Sequence, residues 1–106
     1  MTIDDLRLHA DEASVFLAAF ANGKRIQIIC ELLQSELPVG VIAQRVGLSQ
    51  SALSQHLSRL RGLRLVNTRR DKQTIYYSCT SEQVRQLFGT LDDIFVPASD
   101  EPEVPA

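Results

Sequence analysis

A run of short, uncharged polar side chains between residues 47 and 60, GLSQSALSQHLSRL, has the residue types that hydrogen-bond to nucleobase edges. Glutamine can pair bidentately with adenine, and serine can meet either bases or phosphates. Leu53, Leu57 and Leu60 recur at the interval of one helix face, so the polar residues fall on the opposite face. That face comprises Gln50, Ser51, Ser54, Gln55 and Ser58, with His56 and Arg59 at its flanks and Ser49 as a suitable N-cap.

The alternative interpretation of this polar face is an ordinary solvated helix surface. Such surfaces usually carry Glu and Lys, which favour helix, whereas four serines do not. The contrast therefore favours contact with a ligand rich in hydrogen-bonding groups.

The net charge of −2 conceals a strongly basic centre. Residues 1–36 carry −3 and residues 81–106 carry −5, whereas residues 37–80 carry +6. The seven basic side chains of the centre are Arg45, Arg59, Arg61, Arg64, Arg69, Arg70 and Lys72. A basic segment between acidic ends favours a polyanionic partner; chance clustering in a chain of 106 residues is the alternative.

Other chemistry has little support in the sequence. Cys30 and Cys79 fit neither a zinc-ligand spacing nor a disulfide scaffold, and His9 and His56 lie far apart. The sequence shows no nucleophile–base–orienter constellation, phosphate loop or metal triad, so we predict no enzyme activity, cofactor or metal. The composition is typical of one soluble domain without a signal or membrane segment, which predicts a reducing cytoplasmic location.

Hydrophobic periodicity predicts five helices, at residues 3–21, 24–34, 39–46, 49–62 and 81–95. β-rich segments predict strands at 65–69 and 73–79, joined by a polar turn at 70–72. We expect Thr80 and Gln83 to form a capping box at the last helix. Residues 97–106 are proline-rich and acidic and are predicted to be disordered, which leaves residues 1–96 as one folded domain.

Two short helices that meet at Gly47, followed by a hairpin, predict a winged helix-turn-helix. The predicted class is mainly α with a β-hairpin wing, in the order α-α-α-α-β-β-α. The polar helix would lie in the major groove of double-stranded DNA, with Arg59 and Arg61 on the backbone. The basic hairpin would enter or flank the minor groove through Arg69, Arg70, Lys72 and Gln73.

The helix-turn-helix and wing segments together resemble a known family. KRIQIICELLQSELPVGVIAQRVGLSQSALSQHLSRLR followed by LVNTRRDKQTIYYS is similar to the ArsR/SmtB-type winged-helix repressors over about residues 13–95. Within that family it resembles the non-metal branch of NolR, HlyU and BigR/SqrR. The resemblance implies a homodimer through the first and last helices, with two winged motifs on a pseudo-palindrome, acting as a repressor that occludes promoters.

The resemblance also implies the absence of the family's metal sites. Metal-sensing members place thiols in an E-L-C-x-C-like pattern, where this chain has Pro38 and Gly40. A second family site uses Asp and His on the last helix, where this chain has Asp92 and Asp93 without His.

Cys30 matches the first redox thiol of the HlyU/BigR/SqrR group, but Val96 stands where that group has the second. Two interpretations stay open for Cys30: a small buried core residue, or a single thiol that oxidises. The second would make the chain a thiol-based, redox- or persulfide-responsive repressor.

One departure from the family concerns the end of the polar helix. The family usually has Gly or Asn before the Leu-Val that begins the wing, whereas this chain has Arg64. A left-handed Arg64 would cost about 1–2 kcal/mol, and ending the helix at Gly62 is the alternative.

We therefore predict a sequence-specific DNA-binding transcriptional regulator. The rival from another class is a winged-helix protein-interaction module, which would more typically expose aromatic and aliphatic anchors on the same helix.

Overall fold

The computed structural model describes residues 2–96. Its helices are α1 (Ile3–Leu8), α2 (Ala10–Ala18), α3 (Gly23–Gln34), α4 (Val39–Val46), α5 (Gln50–Gly62) and α6 (Glu82–Phe95). Its strands are β1 (Leu37–Pro38), β2 (Asn67–Asp71) and β3 (Thr74–Ser78). The predicted class, mainly helical with a β-hairpin wing, is confirmed, although residues 2–96 contain one helix and one short strand more than predicted. The predicted acidic tail at 97–106 lies outside the described residues.

The prediction of one helix over 3–21 is wrong, because the chain leaves the helical conformation at His9. Thr2 and Asp5 form a capping box that begins α1, and α2 begins at Ala10. Neither α1 nor α2 contains a buried residue. Since tertiary packing supplies most of the stability of a helix, the apolar pattern alone does not keep the two segments continuous.

The apolar stripes of α3, α4 and α5 meet in one core, which also contains Val84 and Phe88 of α6. The largest fully buried side chains are Ile28, Ile29, Leu32, Ile42, Leu53, Leu57, Leu60 and Val84. Phe20 packs edge-on against Phe16 and Phe88, with ring centroids 5.2 and 5.5 Å apart. The segment after α2 is therefore anchored against α6.

Two basic side chains at the start of α3 hold the ends of neighbouring helices. Lys24 Nζ donates to the carbonyl of Val46 at the end of α4. Arg25 Nε donates to the carbonyl of Ala19, just after α2, at 2.7 Å. Terminal helix carbonyls lack partners within the helix and carry partial negative charge, so a cation there is stabilising. These contacts fix α2 and α4 relative to α3.

The three strands form an antiparallel sheet in the order β1–β3–β2, and residues 67–78 of β2 and β3 are called the wing below. Arg70 pairs with Ile75 and Asp71 with Thr74, so the predicted turn at 70–72 is wrong. The turn is Lys72-Gln73, and Lys72 has φ 59°. Two-residue hairpin turns need such a positive φ because it matches the twist of the paired strands.

The base of the wing is tied to α6 through residues that we expected to cap that helix. Thr80 accepts a hydrogen bond from Asn67 Nδ2 at 2.7 Å instead of forming a capping box. Ser81 is the N-cap, and its Oγ accepts from the backbone N–H of Val84 at 3.2 Å. The predicted capping box of Thr80 and Gln83 is therefore wrong, and the N-cap lies one residue later, at Ser81.

A left-handed residue, Arg64 (φ 62°), follows helix α5 two positions after its last helical residue, Gly62. The Arg64 N–H bonds to the Arg61 carbonyl, and the Leu65 N–H bonds to the Leu60 carbonyl, both at 2.9 Å. This pattern is a Schellman motif, completed by the apolar pair of buried Leu60 and Leu65. The alternative of a helix ending at Gly62 is correct in its boundary, since Gly62 is the last helical residue, but the left-handed conformation falls on Arg64 and not on the glycine.

Candidate nucleic-acid interface

A short turn that contains a left-handed glycine joins α4 to α5. Left-handed Gly47 (φ 71°) ends α4, and the N–H groups of Gly47 and Leu48 both donate to the Ala43 carbonyl. Ser49 then begins α5 as its N-cap, with Oγ accepting from the Ala52 N–H at 3.1 Å. The result is a helix-turn-helix in which a three-residue turn separates the two helices.

One side of α5 is buried and the other is exposed. Leu53, Leu57 and Leu60 are at most 1% exposed. All five predicted polar-face residues are exposed, namely Gln50, Ser51, Ser54, Gln55 and Ser58. α5 contains no carboxylate, so this polar face offers hydroxyl and amide groups that both donate and accept without repelling an anion.

The flanks of the polar face differ from each other. Arg59 and Arg61 lie in the last turn of α5 and are exposed. His56 is half-buried, and its partial burial, followed by the positive charge of Arg25, lowers the pKa of its imidazole. His56 is therefore neutral at pH 7, beside the start of α3.

The tip of the wing carries exposed cations. Arg70 lies near the end of β2, and Lys72 and Gln73 form the turn; all three side chains are exposed. The wing tip therefore offers positive charge and hydrogen-bonding groups in addition to those of the polar face of α5.

Arg69 lies next to Arg70 in sequence but is held by a carboxylate. Its Nε and Nη2 donate to Oε2 and Oε1 of Glu36 at 3.0 and 2.7 Å. Its guanidinium carbon lies 4.7 Å from the ring centroid of Tyr76. The hydrogen bond from Arg69 lowers the pKa of Glu36. Glu36 has no signal in the sequence that marks it as part of the site, because only the strand order β1–β3–β2 brings it to a partner 33 residues away.

Cys30 is exposed, so the interpretation of Cys30 as a buried core residue is wrong. The preceding Ile29 fills the core instead, and Cys30 borders a cavity of about 410 Å³ between α3 and α6. Partial burial of the thiol raises its pKa, and the charges of Glu31 and Asp92 raise it further. Cys79, by contrast, is buried.

Within residues 2–96, no three His, Cys, Asp or Glu side chains come together as a set of metal ligands. The same part of the chain contains no helix that is long and apolar enough to cross a bilayer.

A second set of exposed residues is apolar. We call them the terminal apolar residues: Ile3, Leu6, Leu8, Val15, Leu17, Ile94, Phe95 and Val96. Three of them, Ile3, Leu6 and Leu17, line a shallow groove of about 350 Å³ on α1 and α2. Contiguous apolar surface of this kind marks an interaction site more often than a solvated face.

The fold, the exposed polar helix and the basic wing tip together define a winged helix-turn-helix DNA-binding protein. The chain belongs to the ArsR family of bacterial transcriptional regulators: the family profile "Bacterial regulatory protein, arsR family" matches residues 22–68, from the cap of α3 into β2. Family membership and the prediction of a non-enzymatic DNA-binding regulator are confirmed.

Two relatives show how far the similarity extends. Nodulation protein NolR of Rhizobium meliloti is 53% identical over 94 residues, which cover 89% of this chain and 77% of that protein. Transcriptional activator HlyU of Vibrio cholerae is 42% identical over 99 residues, which cover 93% of this chain and 92% of that protein. Both belong to the branch that the sequence indicated.

Two solved structures have the same fold. The transcriptional repressor BigR from Xylella fastidiosa matches with a TM-score of 0.84 and 35% identity, covering 90% of this chain and 97% of that chain. A domain from Mycobacterium bovis, described as a homodimeric winged helix-turn-helix DNA-binding domain, matches with a TM-score of 0.77 and 27% identity. That match covers 100% of this chain and 97% of that one.

Proposed function

We propose that the chain is a homodimeric repressor that binds pseudo-palindromic operators and occludes promoters. The observation that carries this proposal is the exposed, uncharged polar face of α5 beside a wing with a basic tip. Each bidentate pairing of a glutamine with adenine contributes about 1–3 kcal/mol of discrimination against the wrong base. A face with two glutamines and three serines therefore suits sequence readout in the major groove.

Within this proposal some side chains contact base edges and others contact the DNA backbone or the minor groove. Gln50, Ser51, Ser54, Gln55 and Ser58 read base edges or nearby phosphates, and Arg59 and Arg61 contact the backbone. Arg70, Lys72 and Gln73 reach the minor groove, where negative potential favours cations. Ser49 keeps its hydroxyl proton for a phosphate, since only its oxygen is used in capping Ala52.

The terminal apolar residues support a dimer through α1, α2 and α6. Their solvation is unfavourable in an isolated chain, and a two-fold partner would cover both sets at once. The homodimeric description of the Mycobacterium bovis domain supports the same arrangement. A two-fold dimer places its two α5 helices on half-sites about 34–36 Å apart, one turn of DNA.

The direction of regulation and the absence of a metal are part of the proposal. BigR is described as a repressor and HlyU as an activator, so family membership alone does not decide between repression and activation. A dimer on a promoter excludes polymerase, which favours repression. Pro38 and Gly40 at the family's thiol positions support binding that needs no metal. Chromosomal DNA as the ligand places the regulator in the cytoplasm.

Selection of bound fragments from a random duplex pool tests the proposal. We expect recovery of one pseudo-palindrome with half-sites one helical turn apart, unchanged by a chelator. Enrichment of single, asymmetric half-sites would contradict the dimer, and no enrichment would contradict sequence-specific binding. Transcription in vitro from a promoter that contains the recovered site then shows the direction of regulation. We expect less transcript in the presence of the protein, whereas more transcript would show an activator.

A further inference from the structure

We infer that Glu36 is a specificity-determining residue that withholds Arg69 from DNA, so that the wing meets phosphates through Arg70 and Lys72 instead. The inference deepens the proposed function and rests on its contact between the wing and DNA. It changes the role that the sequence predicts for Arg69, which is DNA contact, and it gives a role to Glu36.

The geometry of the pair is specific. Arg69 lies on β2 and reaches across β3 to Glu36, which immediately precedes β1. The guanidinium donates two nearly parallel hydrogen bonds, Nε to Oε2 at 3.0 Å and Nη2 to Oε1 at 2.7 Å. Bidentate arginine–carboxylate pairs of this kind hold both side chains in one orientation. The ring of Tyr76 lies 4.7 Å from the guanidinium carbon and supports it from a further side.

Strand alternation separates Arg69 from its neighbour. Successive side chains of a strand point to opposite faces of the sheet, so Arg69 and Arg70 do not point the same way. Arg69 lies opposite Tyr76 in the register, whereas Arg70 lies opposite Ile75. The side chains of Arg69 and Arg70 therefore lie on opposite faces of the wing. On its own face, Arg69 contacts Glu36 and Tyr76.

Charge balance explains why the pair persists beside DNA. If Arg69 left Glu36 for a phosphate, the carboxylate would remain without its partner next to a polyanion. One attractive contact would be gained while another was lost and a repulsion added. DNA affinity that does not depend on sequence scales with the number of phosphates that cations neutralise. Because Glu36 holds Arg69, one cation fewer in each wing neutralises a phosphate. A larger share of the binding free energy then comes from the polar face of α5.

The test measures the salt dependence of binding to a random-sequence duplex by the full chain. For Glu36→Gln we expect a steeper slope of log K against log salt, by about 0.9 for each wing in contact, together with tighter binding. The double variant Glu36→Gln/Arg69→Gln removes both charges and leaves no unpaired carboxylate, so it should return to the original slope. Arg70→Gln should flatten it by about 0.9 for each wing.

A matched control separates release of Arg69 from a general change in charge. Glu12 is an exposed carboxylate on α2, so Glu12→Gln raises the net charge equally without touching the wing. Its slope should equal that of the unchanged chain. Circular dichroism and thermal unfolding of each variant check that the fold is intact, which we expect because Glu36 and Arg69 are both exposed.

The outcomes are distinct. A slope for the double variant that is flatter than that of the unchanged chain would overturn the inference, since Arg69 would then already contact phosphate. An unchanged slope for Glu36→Gln, with a flatter slope for Arg70→Gln, would overturn it too while leaving the wing–DNA contact in place. If neither Glu36→Gln nor Arg70→Gln changed the slope, the proposed wing contact would fail together with the inference.

Discussion

The polar face of α5 and the terminal apolar residues are both exposed, yet they differ in what exposure does to them. Water satisfies the hydroxyl and amide groups of the polar face, so that face is stable in the free chain. Water solvates the terminal apolar residues poorly, and Leu8 and Phe95 are 81% and 77% exposed. The difference indicates a reversible ligand for the first surface and a lasting partner for the second.

Charge separates the same two regions. The segment with α5 and the wing, residues 37–80, carries +6, whereas residues 1–36 and 81–106 carry −3 and −5. Acidic ends repel DNA and basic side chains attract it, so a duplex approaches from the side of α5. Four substitutions sharpen this comparison between the basic centre and the acidic, apolar ends of the chain. They follow from the largest expected effect to the smallest.

The largest effect is expected at the apolar region. Phe95→Asp should weaken the proposed dimer roughly a thousandfold, since burial of an aromatic side chain contributes about 2 kcal/mol and a two-fold dimer contains two. Sedimentation equilibrium measures the dissociation constant. Leu63→Asp is the control, because Leu63 is an exposed apolar residue at the end of α5. An unchanged constant for Phe95→Asp would remove this residue from the interface.

Gln55→Ala tests base reading at the polar face. We expect a loss of about 1–3 kcal/mol on the selected operator and little change on random duplex, because only the operator offers its matching base edge. Titration of both duplexes at one salt concentration measures the difference. Gln27→Ala, at an exposed position of α3, should change neither affinity. Equal losses on the two duplexes would contradict readout by Gln55.

Arg64→Gly tests whether the end of α5 is strained. Removing a left-handed arginine relieves about 1–2 kcal/mol, and the added flexibility of glycine offsets about 0.5–1 kcal/mol of that. Thermal unfolding should therefore show a net gain of up to about 1.5 kcal/mol, or several degrees. Arg61→Gly removes the same charge inside the helix and should instead destabilise by about 1 kcal/mol. A loss for both variants would show that Arg64 is not strained.

The smallest effect is expected at Cys30, which lies in one of the two acidic segments. The raised pKa of Cys30 keeps its thiol protonated at pH 7, which disfavours the redox alternative. Asp92→Asn should lower that pKa towards its ordinary value and speed alkylation by no more than a few-fold, because exposed charges are screened. The same alkylation rate should be reached at a lower pH. Asp93→Asn is the control; an equal acceleration there would show a general charge effect.

Features that depend on neighbours in sequence were predictable. Leu53, Leu57 and Leu60 fixed which face of α5 is buried, and Ser49 fixed where that helix begins. The hairpin followed from its β-rich strands, with an error of two residues in the turn. The polar face of the candidate site was therefore visible in the sequence, because a helix face repeats every three to four residues.

Features that depend on distant residues were not predictable. The break at His9, the exposure of Cys30 and the Thr80–Asn67 bond each depend on what other elements pack nearby. Hydrophobic pattern gave no signal for any of them, since it records only the average direction of a face.

The sequence by itself determined the family, the winged helix-turn-helix and the composition of the α5 face, since these depend on local spacing and residue type. Tertiary structure decided which cations are free: Arg69 and Arg70 are neighbours in sequence, but only the pairing of three strands gives the first of them a carboxylate. The physical reason is that electrostatic interaction depends on distance in space, which strand order sets and the sequence pattern does not record.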